Sequence, residues 1–476
     1  MKRASGVLLP IFSLPGEYSC GALGREARDF VDLLADCGFS WWQTLPLCLP
    51  GEGDSPYKSY ASASLNYAFI DLPSLFEEGL ITEAELMAAR QESPYLCEYE
   101  RIARERFPLL ARAAARLTDR APVEAFLEAN PSSEAFCRFM ALREKNGGRP
   151  FPTWTEQEPD PELVFAWGFT QYTFLRQWNT LRAYAASRGV RILGDMPIYV
   201  DYDSADVREN PHLFDLRDDL SPAAVAGVPP DCFSADGQLW GNPLYDWDAM
   251  KRENYGWWRA RMAGAARLFD GVRIDHFRAF ASYYRIPAEA PSARGGEWIK
   301  GPGRELTDLL TAAAPDCLII AEDLGGNTPD VRALLEESGF PGMRVLQFAF
   351  SEGHDNFHMP HNYEKNCVAY TGTHDNDTLL GYLFALDSAT RRRFFDYCGY
   401  AGEDIDAGMP AAIHTMLASH AGLCILPLQD LLGFGTDTRI NRPGTPRGNW
   451  VFRTTADQLA LINRDHWRAL NERFCR

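Results

Sequence analysis

Eight short apolar segments recur along the chain, centred near residues 7, 41, 192, 271, 319, 344, 369 and 424, with helical patterns between them. This alternation constrains the fold more than any other feature. Parallel neighbouring strands need a crossover connection, and a helix is the usual one. The first unit is complete in the sequence. Residues 6–12 read as a strand. Residues 25–37 read as a helix with Phe30, Leu33, Leu34 and Cys37 on one face and Gly38 as its stop. Residues 40–46 read as the next strand. Eight such units predict an α/β chain folded as a (β/α)8 TIM barrel. The competing arrangement is an open doubly wound sheet, but no G-x-G-x-x-G follows the first strand.

The remaining segments fill in the pattern. Helices are expected over 165–188, 255–268, 303–314, 329–338, 388–398, 409–420 and 456–471, and longer strands over 343–350 and 423–432. The chain of 476 residues is far longer than a minimal barrel, and two excursions account for the surplus. Residues 72–165 read as an α-helical insertion subdomain, opened by a Thr82/Glu85 capping-box pattern. Residues 201–250 form a long loop insertion, the kind of segment that serves as a lid over a site. We therefore expect one catalytic barrel over 1–476 carrying both insertions.

A formal net charge of −18 opposes non-specific binding to nucleic acid or to an anionic membrane and suits a neutral substrate. Eleven scattered cysteines without a C-x-x-C pair read as free thiols, which points to the cytoplasm. No apolar run reaches the ~18 residues of a membrane helix.

Barrel active sites form at the C-terminal ends of the strands. The carboxylates gather there. Asp195 follows the third strand, Asp275 the fourth, Glu322 the fifth and Asp375 the seventh. Arg273, His276 and His374 accompany them. An Arg273–Asp275 ion pair closing a strand end explains one of these residues without any function. It does not explain several like charges on one face, which raise one another's pKa unless chemistry or a metal uses them. Two chemistries fit. Asp, Glu and His can hold a divalent ion, although no H-E-x-x-H or EF-hand pattern is present. Alternatively, one ionised and one protonated carboxyl can flank a glycosidic bond. The Tyr-rich loop 51–64 suits the apolar face of a sugar ring, and equally reads as a surface loop.

Several motifs then carry a family resemblance. Gly271-Val-Arg-Ile-Asp-His-Phe-Arg278, Ile320-Ala-Glu-Asp-Leu-Gly325 and Tyr370-Thr-Gly-Thr-His-Asp-Asn-Asp377 resemble those of the 4-α-glucanotransferases, the amylomaltases of glycoside hydrolase family 77. So do Ser55-Pro-Tyr-Lys-Ser59, Gly194-Asp-Met-Pro-Ile-Tyr-Val200, Gly227-Val-Pro-Pro-Asp231, Gly237-Gln-Leu-Trp-Gly-Asn-Pro243 and Pro443-Gly-Thr-Pro-Arg-Gly-Asn-Trp450.

The resemblance implies retaining transfer of an α-1,4-glucan segment to the 4-hydroxyl of another glucan or of glucose, with no organic cofactor and no metal. Asp275 matches the nucleophile, Glu322 the acid/base and Asp375 the third carboxylate that grips the −1 sugar. Arg273 is expected to hold Asp275 ionised. His374, Asp195 and Tyr57 match −1 subsite groups, and Trp240 and Asp231 lie on the lid over the acceptor side. Lys58 stands where many relatives carry Gln. Asp323 is expected to be structural and Asp377 to cap a helix. His276 has no assigned role. An amylase-type hydrolase and a non-catalytic glucan-binding barrel are the competing functions.

Overall fold

The computed structural model describes residues 2–51, 53–230, 235–325, 328–350, 356–445 and 447–476. Eight parallel strands close into a barrel whose spatial order follows the chain: Ala4–Leu8, Trp41–Gln43, Arg191–Met196, Gly271–Ile274, Leu318–Ala321, Gly342–Val345, Cys367–Tyr370 and Leu423–Pro427. Closure comes from the first strand pairing with the eighth, from Ala4 against Leu423 to Leu8 against Pro427. The TIM barrel expected from the alternation is the fold observed. Close approach is built in at the third strand. A Cβ on Gly194 would meet the Phe269 ring at 2.3 Å, so only glycine lets the ring pack there.

Three segments end differently from the sequence pattern. The sixth strand stops at Val345, and Leu346–Phe348 turn into a 3-10 helix instead of extending to residue 350. That turn lets Gln347 donate to the Asp377 carbonyl at 2.7 Å. The eighth strand stops at Pro427, and Leu428–Leu432 form a short helix. The closing helix is two, Ala456–Ala460 and Arg464–Arg473, because Asn463 caps the second through the His466 N–H. Among the described residues, the sixth and seventh strands are joined by 3-10 turns and no α-helix.

Between the second and third strands the chain makes a run of helices and returns on the 27-residue helix Pro161–Ser187. It begins four residues before the apolar pattern does, because Asp160 accepts the Glu162 N–H and Pro161 occupies the first turn. The Thr82/Glu85 capping box is present, and Glu85 also takes Arg112 at 2.9 Å and Arg116 at 2.6 Å. Trp167 on the long helix stacks on Phe107 at 3.9 Å and meets Phe136 at 5.7 Å, joining the helical run to the barrel.

Residues 201–250 are more ordered than a loop. Ala224–Val228 and Gln238–Pro243 are strands, and they join Ser282–Pro287 and Glu297–Lys300 in a four-stranded antiparallel sheet. The second pair leaves the barrel just after the fourth strand. It lies outside the strand–helix alternation, although Ser282-Tyr-Tyr-Arg-Ile-Pro287 carries a strand-like composition.

Candidate active site

Strand register sets the site. Asp195 pairs with Arg273 across the third and fourth strands, and Ile274 pairs with Ala321 across the fourth and fifth. Asp275 and Glu322 are therefore the next residues on two adjacent strands. Glu322 N–H donates to the Ile274 carbonyl at 3.0 Å, and Phe277 N–H donates to the Glu322 carbonyl at 3.1 Å.

Arg273 lies between two carboxylates, 2.6 Å from Asp195 Oδ2 and 2.9 Å from Asp275 Oδ1. Tyr57 donates its hydroxyl to the same Asp195 oxygen at 3.0 Å. The Asp195 side chain is 0% exposed, whereas those of Asp275 and Asp375 are 30% and 45% exposed. Asp195 thus braces the guanidinium from the buried side, while Asp275 and Asp375 keep part of their surface exposed.

Electrostatics qualify one expectation. Burial pushes the Asp275 carboxyl up to about 7; Arg273 pulls it down, while Asp195, Glu322 and Asp375 add to the rise. Arg273 contacts Asp275 as expected, and its pull on the carboxyl is opposed first by burial and then by the neighbouring carboxylates. Burial raises Glu322 as well, against Arg273 and the two N–H groups it accepts, from Leu324 on Oε1 and from His276 on Oε2, each at 2.7 Å. Asp375 moves the other way. Burial favours its neutral form, but His374 at 3.3 Å and the Asn441 amide at 2.6 Å outweigh that and hold it below the usual carboxylate range.

His276 has a left-handed backbone (φ 49°) that turns the chain sharply at the end of the fourth strand. That turn aims its N–H at Glu322. Its buried ring meets Trp240 edge-on, with centroids 4.8 Å apart, and burial with nearby Arg278 pulls its pKa down to about 3. The imidazole under Trp240 is therefore neutral. Tyr57 stacks on His374 at 5.1 Å, and Trp450 tilts against both rings at 5.9 Å.

A cleft of about 430 Å³ opens above these groups, lined among others by Tyr57, Lys58, Tyr199, Gln238, Trp240 and Asp275. Its size and aromatic walls fit a small organic ligand. The structure thus brings Tyr57, Asp195, Arg273, Asp275, Glu322, His374 and Asp375 into one linked set with Trp240 at its edge. Asp231 lies outside the described residues.

The overall match is decisive for family. The family model described as 4-alpha-glucanotransferase matches residues 9–458. The chain belongs to the 4-alpha-glucanotransferase family. A 4-alpha-glucanotransferase of Thermus thermophilus is 40% identical over 99% of this chain and 99% of its own. One from Streptococcus pneumoniae is 41% identical over 96% of this chain and 94% of its own. An amylomaltase from Streptococcus agalactiae, solved in complex with acarbose, superposes with a TM-score of 0.95 at 35% identity, covering all of both chains. An amylomaltase from Corynebacterium glutamicum shares the fold, with a TM-score of 0.84 at 20% identity over 98% of this chain and 75% of its own. The chain is an enzyme of the 4-alpha-glucanotransferase type.

Two residues that contact Asp375 carry no motif of their own in the sequence. Asn441 holds Asp375 Oδ1, and Arg439 donates to the Asp375 carbonyl at 2.6 Å. Their only signal was position, directly before the Pro443-Gly motif. Two minor expectations also resolve. Asp323 is structural in its contacts, accepting the Met343 N–H at 2.7 Å and pairing with Arg344 at 3.0 Å. The helix cap is Thr378, which accepts the Gly381 N–H; Asp377 instead takes the Thr436 hydroxyl at 2.9 Å.

Proposed function

We propose that Asp275 is the nucleophile and Glu322 the acid/base of a retaining double displacement. The observation that carries this is the placement of the two residues each one position past the ends of adjacent, register-matched strands. Neighbouring strands run about 4.8 Å apart. That spacing suits the ~5–5.5 Å carboxyl separation of retaining enzymes rather than the wider gap of inverting ones.

In this reading Glu322 protonates the leaving 4-oxygen while Asp275 attacks the anomeric carbon. The glucosyl group is held on Asp275. Glu322, now ionised, takes the proton of an incoming 4-hydroxyl, and the sugar is transferred with its α-configuration kept. Asp375, ionised and held by His374 and Asn441, grips the −1 ring hydroxyls. Tyr57, stacked on His374, supplies an apolar wall. Asp195, whose side chain is fully buried, acts on the −1 site through the Arg273 guanidinium and the Tyr57 hydroxyl that it holds.

The site uses no metal or organic cofactor in this mechanism. The 201–250 excursion acts as a lid, with Trp240 on the acceptor side, so that a bound sugar outcompetes water for the intermediate. The substrates are α-1,4-glucans, and the buried free thiols fit work in the cytoplasm.

Incubating the protein with maltotriose and separating products by chain length tests the reading. Glucose together with a ladder of longer glucans is expected. Glucose and maltose alone would mark a hydrolase, and no turnover would mark a binding barrel.

A further inference from the structure

Asp430 is a buried carboxyl that the mechanism above does not use. It follows the eighth strand, in the short helix Leu428–Leu432, and is 1% exposed. Its Oδ2 accepts the Thr371 hydroxyl at 2.5 Å, and its Oδ1 accepts the Leu379 N–H at 2.8 Å. Thr371 is the first residue past the seventh strand, and Leu379 is the first of the helix Leu379–Ala385. One carboxylate therefore ties both ends of the loop 372–378, which carries His374 and Asp375.

Neither partner of Asp430 is charged. The charged group nearest in influence is Asp377, itself held by the Thr378 N–H at 2.8 Å and by Thr436. Burial pushes the Asp430 carboxyl up to about 6; the Thr371 and Leu379 hydrogen bonds oppose this and Asp377 adds to it. A buried carboxylate without a cation is costly. An apolar side chain would fill the space without that cost, but it could not hold two donors eight residues apart.

We propose that Asp430 is a positioning residue that clamps the loop presenting His374 and Asp375 to the −1 sugar. The proposal rests on the role assigned to Asp375 above. Groups that stabilise a transition state must be held to within about 0.5 Å, and such precision comes from supporting hydrogen bonds. The clamp uses the fork of the side chain rather than its charge. Asparagine can accept from the Leu379 N–H with its oxygen and donate to the Thr371 hydroxyl with its nitrogen.

The test compares Asp430→Ala, Asp430→Asn and Thr371→Val in the full chain, by kcat and KM for maltotriose disproportionation and by Tm. Asp430→Ala should lower kcat by about tenfold or more with KM within about threefold, and Asp430→Asn should restore kcat to within about threefold of wild type. Wild-type kcat in Asp430→Ala overturns the proposal. So does an inactive Asp430→Asn of unchanged Tm, because that variant keeps both bonds. If Asp430→Ala does not fold, Thr371→Val decides, since it deletes one bond at constant volume. A fall in its kcat supports the clamp, and a wild-type kcat overturns it. A wild-type protein that does not disproportionate maltotriose would instead defeat the assigned chemistry, so the two failures are distinct.

Discussion

His276 donates its backbone N–H to Glu322 Oε2 at 2.7 Å from a left-handed conformation that non-glycine residues seldom adopt. The acid/base of the proposed mechanism is thus oriented by the chain of the neighbouring strand, one residue beyond the nucleophile. The side chain above that N–H supports Trp240.

This relationship separates backbone from ring. His276→Gly keeps the turn and frees it of strain. His276→Val forces a β-branched residue into the left-handed region, at a cost of about 1–3 kcal/mol. Expected kcat on maltotriose is within about threefold of wild type for Gly and at least about tenfold lower for Val. Equal activities in the two variants would show that the N–H geometry does not matter.

Arg273 neutralises two carboxylates in a buried setting. Arg273→Ala leaves both without a cation and should cost about 3–5 kcal/mol of stability. The sign with pH follows from Asp275, already pushed up to about 7. A carboxyl with a raised folded pKa binds more protons in the folded than in the unfolded state, so stability falls as pH rises from the unfolded value through that window. Urea unfolding should show a larger loss at pH 8 than at pH 5. A loss independent of pH would contradict this.

The same shift sets the activity profile. Asp275 must be ionised to attack, so kcat/KM should fall as pH drops below about 7. Glu322 raises Asp275 through its charge. Glu322→Gln, assayed on an aryl maltoside whose leaving group needs no acid, should move this acid limb to lower pH. A limb that stays in place would mean the two carboxyls do not titrate together.

Trp240 lines the cleft beside Asp275. Trp240→Ala should weaken the acceptor against water and raise the ratio of hydrolysis to transfer, read as glucose and maltose without the longer ladder. An unchanged ratio would locate the preference for transfer elsewhere.

The barrel was legible because its signal is periodic and local. Each strand is a short apolar run, and each strand-end carboxylate interrupts one. Asp275, Glu322 and Asp375 could therefore be placed past strand ends from spacing alone, whereas Asp195, read as following the third strand, lies inside it and is buried against Arg273. What escaped depends on contacts between distant segments or on backbone angles. Asn441 reaches Asp375 across 66 positions. The work of His276 lies in a φ angle, which no residue type spells out. The sharing of Arg273 between Asp195 and Asp275 follows from strand register, so the degree to which it keeps Asp275 ionised could not be judged beforehand. Strand ends at Val345 and Pro427 fell earlier than the apolar runs suggested, because turns there deliver Gln347 and Asp430 to the loop of Asp375.

The antiparallel sheet beside the cleft carries one more implication. Its strand Ala224–Val228, from the excursion after the third barrel strand, pairs over four positions with Ser282–Pro287, from the excursion after the fourth. The two excursions are stitched together, so neither can gain or lose residues freely. A two-residue change preserves which side chains face the cleft, whereas a one-residue change in either inverts them unless the other compensates. Length variation in these two segments should therefore arise in matched pairs, and any grafting of this sheet onto another barrel must move both together.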